Sequence, residues 1–157
     1  VLFVLDASSL IELEDVCASE RYPFDVVLSR LTDLCTGDEL VFPPLVVRDC
    51  REFGETDLIT SWVRSNAAHL SNNAPGYDLA GQVMGACPDL FDVDDQRESA
   101  EIEVLALALS RRNAGAAVTI VTGQWVDSPV RQSLGSAAAS MSFGTMTTRD
   151  FVNSVMP

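Results

Sequence analysis

The sequence predicts an α/β fold, a three-layer α/β/α sandwich around a central, mainly parallel sheet of four or five strands, and three observations carry that prediction. A continuous apolar run at 1–5 and short, mostly apolar stretches at 39–42 and 117–121 read as strands. The stretches between them place apolar residues at helical spacing, and this alternation is the pattern of a parallel sheet covered by helices. Finally, 157 residues, 47% of them hydrophobic, supply one core and not two, so residues 1–157 read as a single domain.

The first strand, Val1 to Leu5, ends in Asp6, and Ala7-Ser8-Ser9 opens a helix running to Ala18 with Leu10, Ile11 and Leu13 inward. A second helix covers Asp25 to Cys35, with Val26, Val27, Leu31 and Leu34 on one face, and stops at Thr36-Gly37. A strand at Glu39 to Phe42 leads to Pro43-Pro44, and proline in a first helical turn starts the helix that carries Asp49. From Thr56 to Leu70 a further helix turns Leu58, Ile59, Trp62 and Val63 inward, followed by a polar loop at 71–76 and a helix at 77–85.

Pro88 to Gln96 reads as an acidic connection into a strong helix at 99–112. Asn113-Ala114-Gly115 then leads into the strand at 117–121. The tail reads as a helix near Val130, a strand at 139–143 and a last helix at 148–155.

Charge and composition exclude several classes. A net charge of −13, with every basic residue an arginine, opposes broad nonspecific binding to nucleic acid or to anionic membranes, although a local site stays open. No apolar stretch approaches the ~20 residues that span a bilayer, so the expected setting is soluble and cytoplasmic, with no membrane partner. Cys17, Cys35, Cys50 and Cys87 form no CxxC pair, which removes support for a zinc or dithiol site and leaves buried thiols as the expectation. The single histidine, His69, excludes a multi-histidine metal centre. No glycine-rich turn follows the first strand, which argues against a dinucleotide or P-loop site.

Three acids stand out by position. Asp6 closes the first strand, at the rim where open α/β sheets bind ligands, and Asp49 and Glu101 lie in helices that could converge on that rim. Acids beside buried apolar positions cost free energy unless solvated, paired or bound to a cation. Magnesium is the natural cation, because it takes oxygen ligands and is often held by one or two carboxylates plus substrate phosphate. Simpler roles compete: Asp6 as a helix cap, Asp49 paired with Arg48 or Arg51, and Glu101 as one of several helix-start acids with Glu98 and Glu103. By helical spacing Glu98 shares the face of Glu101, and Glu103 faces elsewhere.

The chain resembles the PIN-domain ribonucleases, including their toxin-type members, in four segments taken in order. Val4-Leu5-Asp6-Ala7-Ser8-Ser9-Leu10-Ile11 is similar to their opening strand and acid. Phe42-Pro43-Pro44-Leu45-Val46-Val47-Arg48-Asp49 is similar to the second motif, and Ala100-Glu101-Ile102-Glu103-Val104-Leu105-Ala106-Leu107-Ala108 to the third. Ile120-Val121-Thr122 resembles the fourth, but Gly123-Gln124 stands where that family often has an acid, with Asp127 three residues further on.

The resemblance implies a PIN-like fold and a magnesium- or manganese-dependent endoribonuclease, the toxin of a bacterial toxin-antitoxin pair. It implies Asp6, Asp49 and Glu101 as catalytic metal ligands, Asp127 as a further ligand, and Ser8 and Thr122 on a metal ligand, water or phosphate. Arg48 and Arg51, with Arg97, are the nearest candidates for holding RNA, and Trp125 is a better ligand contact than Trp62, which reads as core. The implied partners are RNA, a basic-tailed antitoxin and a second copy of the chain. The alternative is a degenerate PIN-like domain that binds RNA or protein without catalysis, motivated by the altered fourth motif.

Overall fold

The structure is a computed structural model in which residues 1–54, 56–67, 74–90 and 98–157 are described. His69, Arg97 and most of the acidic connection lie outside the described residues. Four strands, β1 (Leu2–Leu5), β2 (Leu40–Val41), β3 (Val118–Thr122) and β4 (Gly144–Thr147), form one all-parallel sheet in the order β2-β1-β3-β4. Every connection carries helix, as parallel pairing requires. The architecture is therefore α/β, compatible with a three-layer sandwich.

Between β1 and β2 lie α1 (Ala7–Ile11), α2 (Leu13–Ser19) and α3 (Phe24–Thr36). The helix expected over 8–18 is thus two pieces that meet at Glu12. On α3, Val27, Leu31 and Leu34 are buried as expected, whereas Val26 faces outward. Pro44 sits in the first turn of α4 (Pro44–Phe53). α5 (Asp57–Ala67) buries Ile59, Trp62 and Val63 but leaves Leu58 exposed. The Trp62 indole donates to Thr32 Oγ1 at 2.9 Å and packs near Phe42, a core residue with its polar edge satisfied.

α6 (Tyr77–Ala86) packs on α7 (Ala100–Asn113), whose start is capped by Ser99 accepting from the Ile102 amide at 3.4 Å. Helix α7 buries Val104, Leu105, Ala106 and Ala108 completely and lies against both β1 and β3. A central helix with this much buried surface shows little amphipathic pattern of its own. All four cysteines are buried and unpaired. Among the described residues no helix is long and apolar enough to cross a membrane.

The tail departs from the sequence reading. Residues 139–143 are not a strand: 139–140 end α8 (Leu134–Ser140) and 141–143 form the turn after it, the helix being started by Ser133 accepting from the Ser136 amide at 3.2 Å and packed through the buried Ala137 and Ala138. The expected strand is displaced to β4, an edge strand. No helix forms near Val130, where Ser128 and Arg131 close a turn around Pro129 instead. The last helix, α9 (Thr148–Val155), stands where the sequence placed it.

Candidate functional site

The chain runs from β1 to β2 on one side and later returns to place β3 on the other side of β1. The carboxyl ends of β1 and β3 therefore flank the point where strand order reverses, the usual crevice for ligands in open α/β sheets. Asp6 follows β1 there and is 2% exposed. Its Oδ1 accepts from the Ser9 amide at 2.8 Å, which caps α1. Its Oδ2 accepts from Ser8 Oγ at 2.7 Å and from Thr122 Oγ1, at the end of β3, at 2.5 Å.

The hydroxyls are themselves held in place. Ser8 Oγ accepts from the Gly123 amide at 2.8 Å, and Thr122 Oγ1 accepts from the Gln124 amide at 3.0 Å. A Cβ at Gly123 would stand 2.7 Å from the Glu12 carboxylate, the movable end of a long side chain that would have to shift. Burial pushes the Asp6 carboxyl above its ordinary range, and the bonds from Thr122, Ser8 and Ser9 pull it part of the way back. Asp6 thus acts as a helix cap and as the tie between two strand ends at once.

Outside this buried knot lies a groove of about 780 Å³ into which both Asp49 and Glu101 open. Asp49 Oδ1 accepts two bonds from Arg48, from Nε at 3.0 Å and Nη2 at 2.9 Å, and Arg48 Nη2 also donates to the Glu98 carbonyl at 2.9 Å. Glu101 Oε2 accepts from Ser99 Oγ at 3.1 Å. Its Oε1 accepts from Gln124 Nε2 at 3.1 Å and pairs with Arg131 Nη2 at 3.3 Å. One line of bonds therefore runs from Asp6 through Thr122 and Gln124 to Glu101. Beside Asp49 in the chain, the buried Cys50 thiol is pushed up to about 12 by burial and then by the charges of Asp49 and Asp6.

Glu98 and Glu103 line the same groove. The expectation that Glu103 faces away is corrected by α4: the groove extends to its start, where Glu103 Oε1 accepts from the Leu45 amide at 2.9 Å. That places an acid at a helix N-terminus with open donors, while burial raises the Glu103 carboxyl. Phe53, Tyr77 and Met84, all exposed, give the groove an apolar wall.

Other candidates stand apart. Asp127 is exposed and turned toward the start of α8, where its Oδ1 accepts from the Ser133 amide at 2.8 Å. The bonds from Ser133 hold its carboxyl below the ordinary range. Arg51 is exposed and does not line the groove. Trp125 donates from Nε1 to the Thr122 carbonyl at 2.9 Å and covers Gly135, where a Cβ would come within 2.6 Å of its ring. Its position supports the strand end without lining the groove.

The sequence reading missed Gln124, Ser99 and Arg131. Gln124 occupies the altered fourth motif, where the search was for an acid and not for an amide. Ser99 carried a signal as a serine at a helix start, and Arg131 carried none, since it reaches the groove through the 128–131 turn.

The donor set suits a hard cation in one respect: Asp49 and Glu101 are oxygen ligands opening on one groove, and two carboxylates with water and substrate phosphate make a common magnesium shell. The three-acid ligand set does not assemble as a cage. Among the described residues no three His, Cys, Asp or Glu side chains stand together as a metal group, and both Asp6 oxygens accept from protein donors. No family model, curated protein or solved structure matches this chain.

Proposed function

We propose that the chain is a PIN-like, metal-dependent endoribonuclease that hydrolyses RNA phosphodiester bonds in this groove. The observation that supports it most is the bonded line from Asp6 through Thr122 and Gln124 to Glu101, with Asp49 opening on the same groove. It gathers the four resembling motifs at the switch point of the sheet. Asp49 and Glu101 would hold magnesium or manganese, which supplies a water acidified toward neutral pH and charge stabilisation at the phosphate.

The protein's own groups divide the remaining work. Asp6, clamped by Ser8, Ser9 and Thr122, fixes the ends of β1 and β3 so that Gln124 meets Glu101 at a set distance. Arg48 stands beside Asp49, where its guanidinium can reach a phosphate oxygen. Phe53, Tyr77 and Met84 offer an exposed apolar wall on the far side of the groove. The toxin role, a basic-tailed antitoxin, homodimerisation and a cytoplasmic setting belong to the same proposal, and the net charge of −13 suits a basic partner.

A second reading, a binding module without catalysis, is favoured by one feature. Each groove acid already has a protein donor: Arg48 on Asp49, Gln124 and Arg131 on Glu101. Cutting of a panel of structured RNAs by purified protein in magnesium, manganese or EDTA separates the two. The nuclease reading expects metal-dependent cleavage that is lost in Asp49→Asn and Glu101→Gln. Folded protein that leaves every RNA intact with both metals would establish the binding module.

A further inference from the structure

We propose that Arg131 is a substrate-positioning residue, exchanging its partner Glu101 for an RNA phosphate when RNA enters the groove. This rests on the groove being an RNA site. The backbone that carries Arg131 is fixed, with the Ser128 amide donating to the Arg131 carbonyl at 2.9 Å and the Gln132 amide to the Asp89 carbonyl at 2.8 Å. Its side chain is aimed by one internal anchor, Nε donating to the Leu90 carbonyl at 3.1 Å. With Nε fixed, the side chain lines the groove and its Nη2 reaches Glu101 there.

Among the described residues the only groups bonded by that guanidinium are Leu90 and Glu101, and the side chain stays 46% exposed. The contact to Glu101 is the longer of the two, at 3.3 Å, and is half-exposed on the arginine side. A planar guanidinium anchored at Nε is suited to charge-assisted bonds from its terminal nitrogens to a phosphate. Arg51, which the sequence pointed to, has no comparable access.

The exchange has a direction. Whatever neutralises Glu101, a cation or a loss of charge, weakens the hold on Arg131 and removes a repulsive charge from the path of the phosphate. Ion pairing in the empty groove and phosphate binding in the filled one therefore use the same guanidinium.

The test is a double-mutant cycle read by fluorescence anisotropy with a short labelled RNA in EDTA, where neither reading allows turnover. Arg131→Ala should weaken binding about tenfold and reduce the salt slope of log K by about 0.7, one single-strand phosphate contact. Glu101→Gln should tighten binding, and the Glu101→Gln/Arg131→Ala double variant should lose most of that gain. Arg51→Ala should leave affinity and slope unchanged.

An Arg131 that serves only as a structural ion pair would alter the melting temperature and leave the affinity, salt slope and coupling untouched, overturning the proposal. Absence of RNA binding by both the wild type and Glu101→Gln would overturn it as well. Metal-dependent cutting is read separately, so failure of the nuclease reading is distinguishable from failure of this one.

Discussion

The buried knot around Asp6 and the groove beside it use the same chemistry to opposite ends. Around Asp6, one carboxylate takes three short bonds from donors fixed by the backbone of α1 and β3, with 2% of the residue exposed. In the groove, Asp49 and Glu101 take bonds from arginine and glutamine side chains that can rotate away. Buried carboxylates with fixed donors hold geometry, and half-buried ones with movable donors can change partner. The difference teaches that a shared acidic motif need not mean a shared role: Asp6 organises the strand ends, while Asp49 and Glu101 face the groove.

The strongest way to break this division is through the groove. Under the nuclease reading, Glu101→Gln and Asp49→Asn each reduce the cleavage rate about 100-fold or more, the scale of groups acting directly on developing charge. Melting temperatures fall less than in the knot variants, because the donors of the groove acids are side chains that keep partial contact with water. Equal melting losses in the groove and knot variants would erase the distinction.

The knot answers differently. Thr122→Val removes one of the Asp6 donors in a buried site and costs about 1–3 kcal/mol, visible as a lower urea midpoint. Gly135→Ala pushes a Cβ toward the Trp125 ring and the Gln124 carbonyl, at 2.6 and 2.8 Å. It costs about 1–3 kcal/mol by overpacking and shifts the tryptophan emission.

Asp6→Asn sharpens the comparison through pH. Burial raises the Asp6 carboxyl above its ordinary 3.8, so the folded state favours the protonated form and the charged form costs stability. That cost is fully present above the raised value and vanishes below the ordinary one. Asn removes that charge-dependent cost, so the melting temperature of the variant relative to the wild type is higher near neutral pH than in acid. A relative melting temperature that is instead lower near neutral pH than in acid would show that the donors outweigh burial.

Much of the site was legible in the sequence because it sits where local signals are strong. β1 and β3 are apolar runs covered on both faces, α4 begins on a proline, and Asp6 with Ser8 and Thr122 follow strand ends directly. The tail was not legible, for two reasons. β4 is an edge strand of Gly-Thr-Met-Thr with only partial burial, and it offers no apolar run. The alanine-rich 137–139 gave no helical stripe, so the Ser133 cap was the only start signal for α8. Arg131 and Gln124 were missed because their roles depend on a turn and on a contact between residues 23 apart in the chain, Gln124 and Glu101. Glu103 was misplaced because helical spacing describes one helix, and the groove is shaped by two.

The central claim, that Asp49 and Glu101 form a divalent-cation site at the rim while Asp6 stays behind it, is tested most directly by calorimetric titration of manganese into the purified chain. The account predicts saturable binding that is lost in Asp49→Asn/Glu101→Gln and retained in Asp6→Asn. Loss of binding in Asp6→Asn with retention in the double variant, or no saturable binding by the wild type, would contradict it.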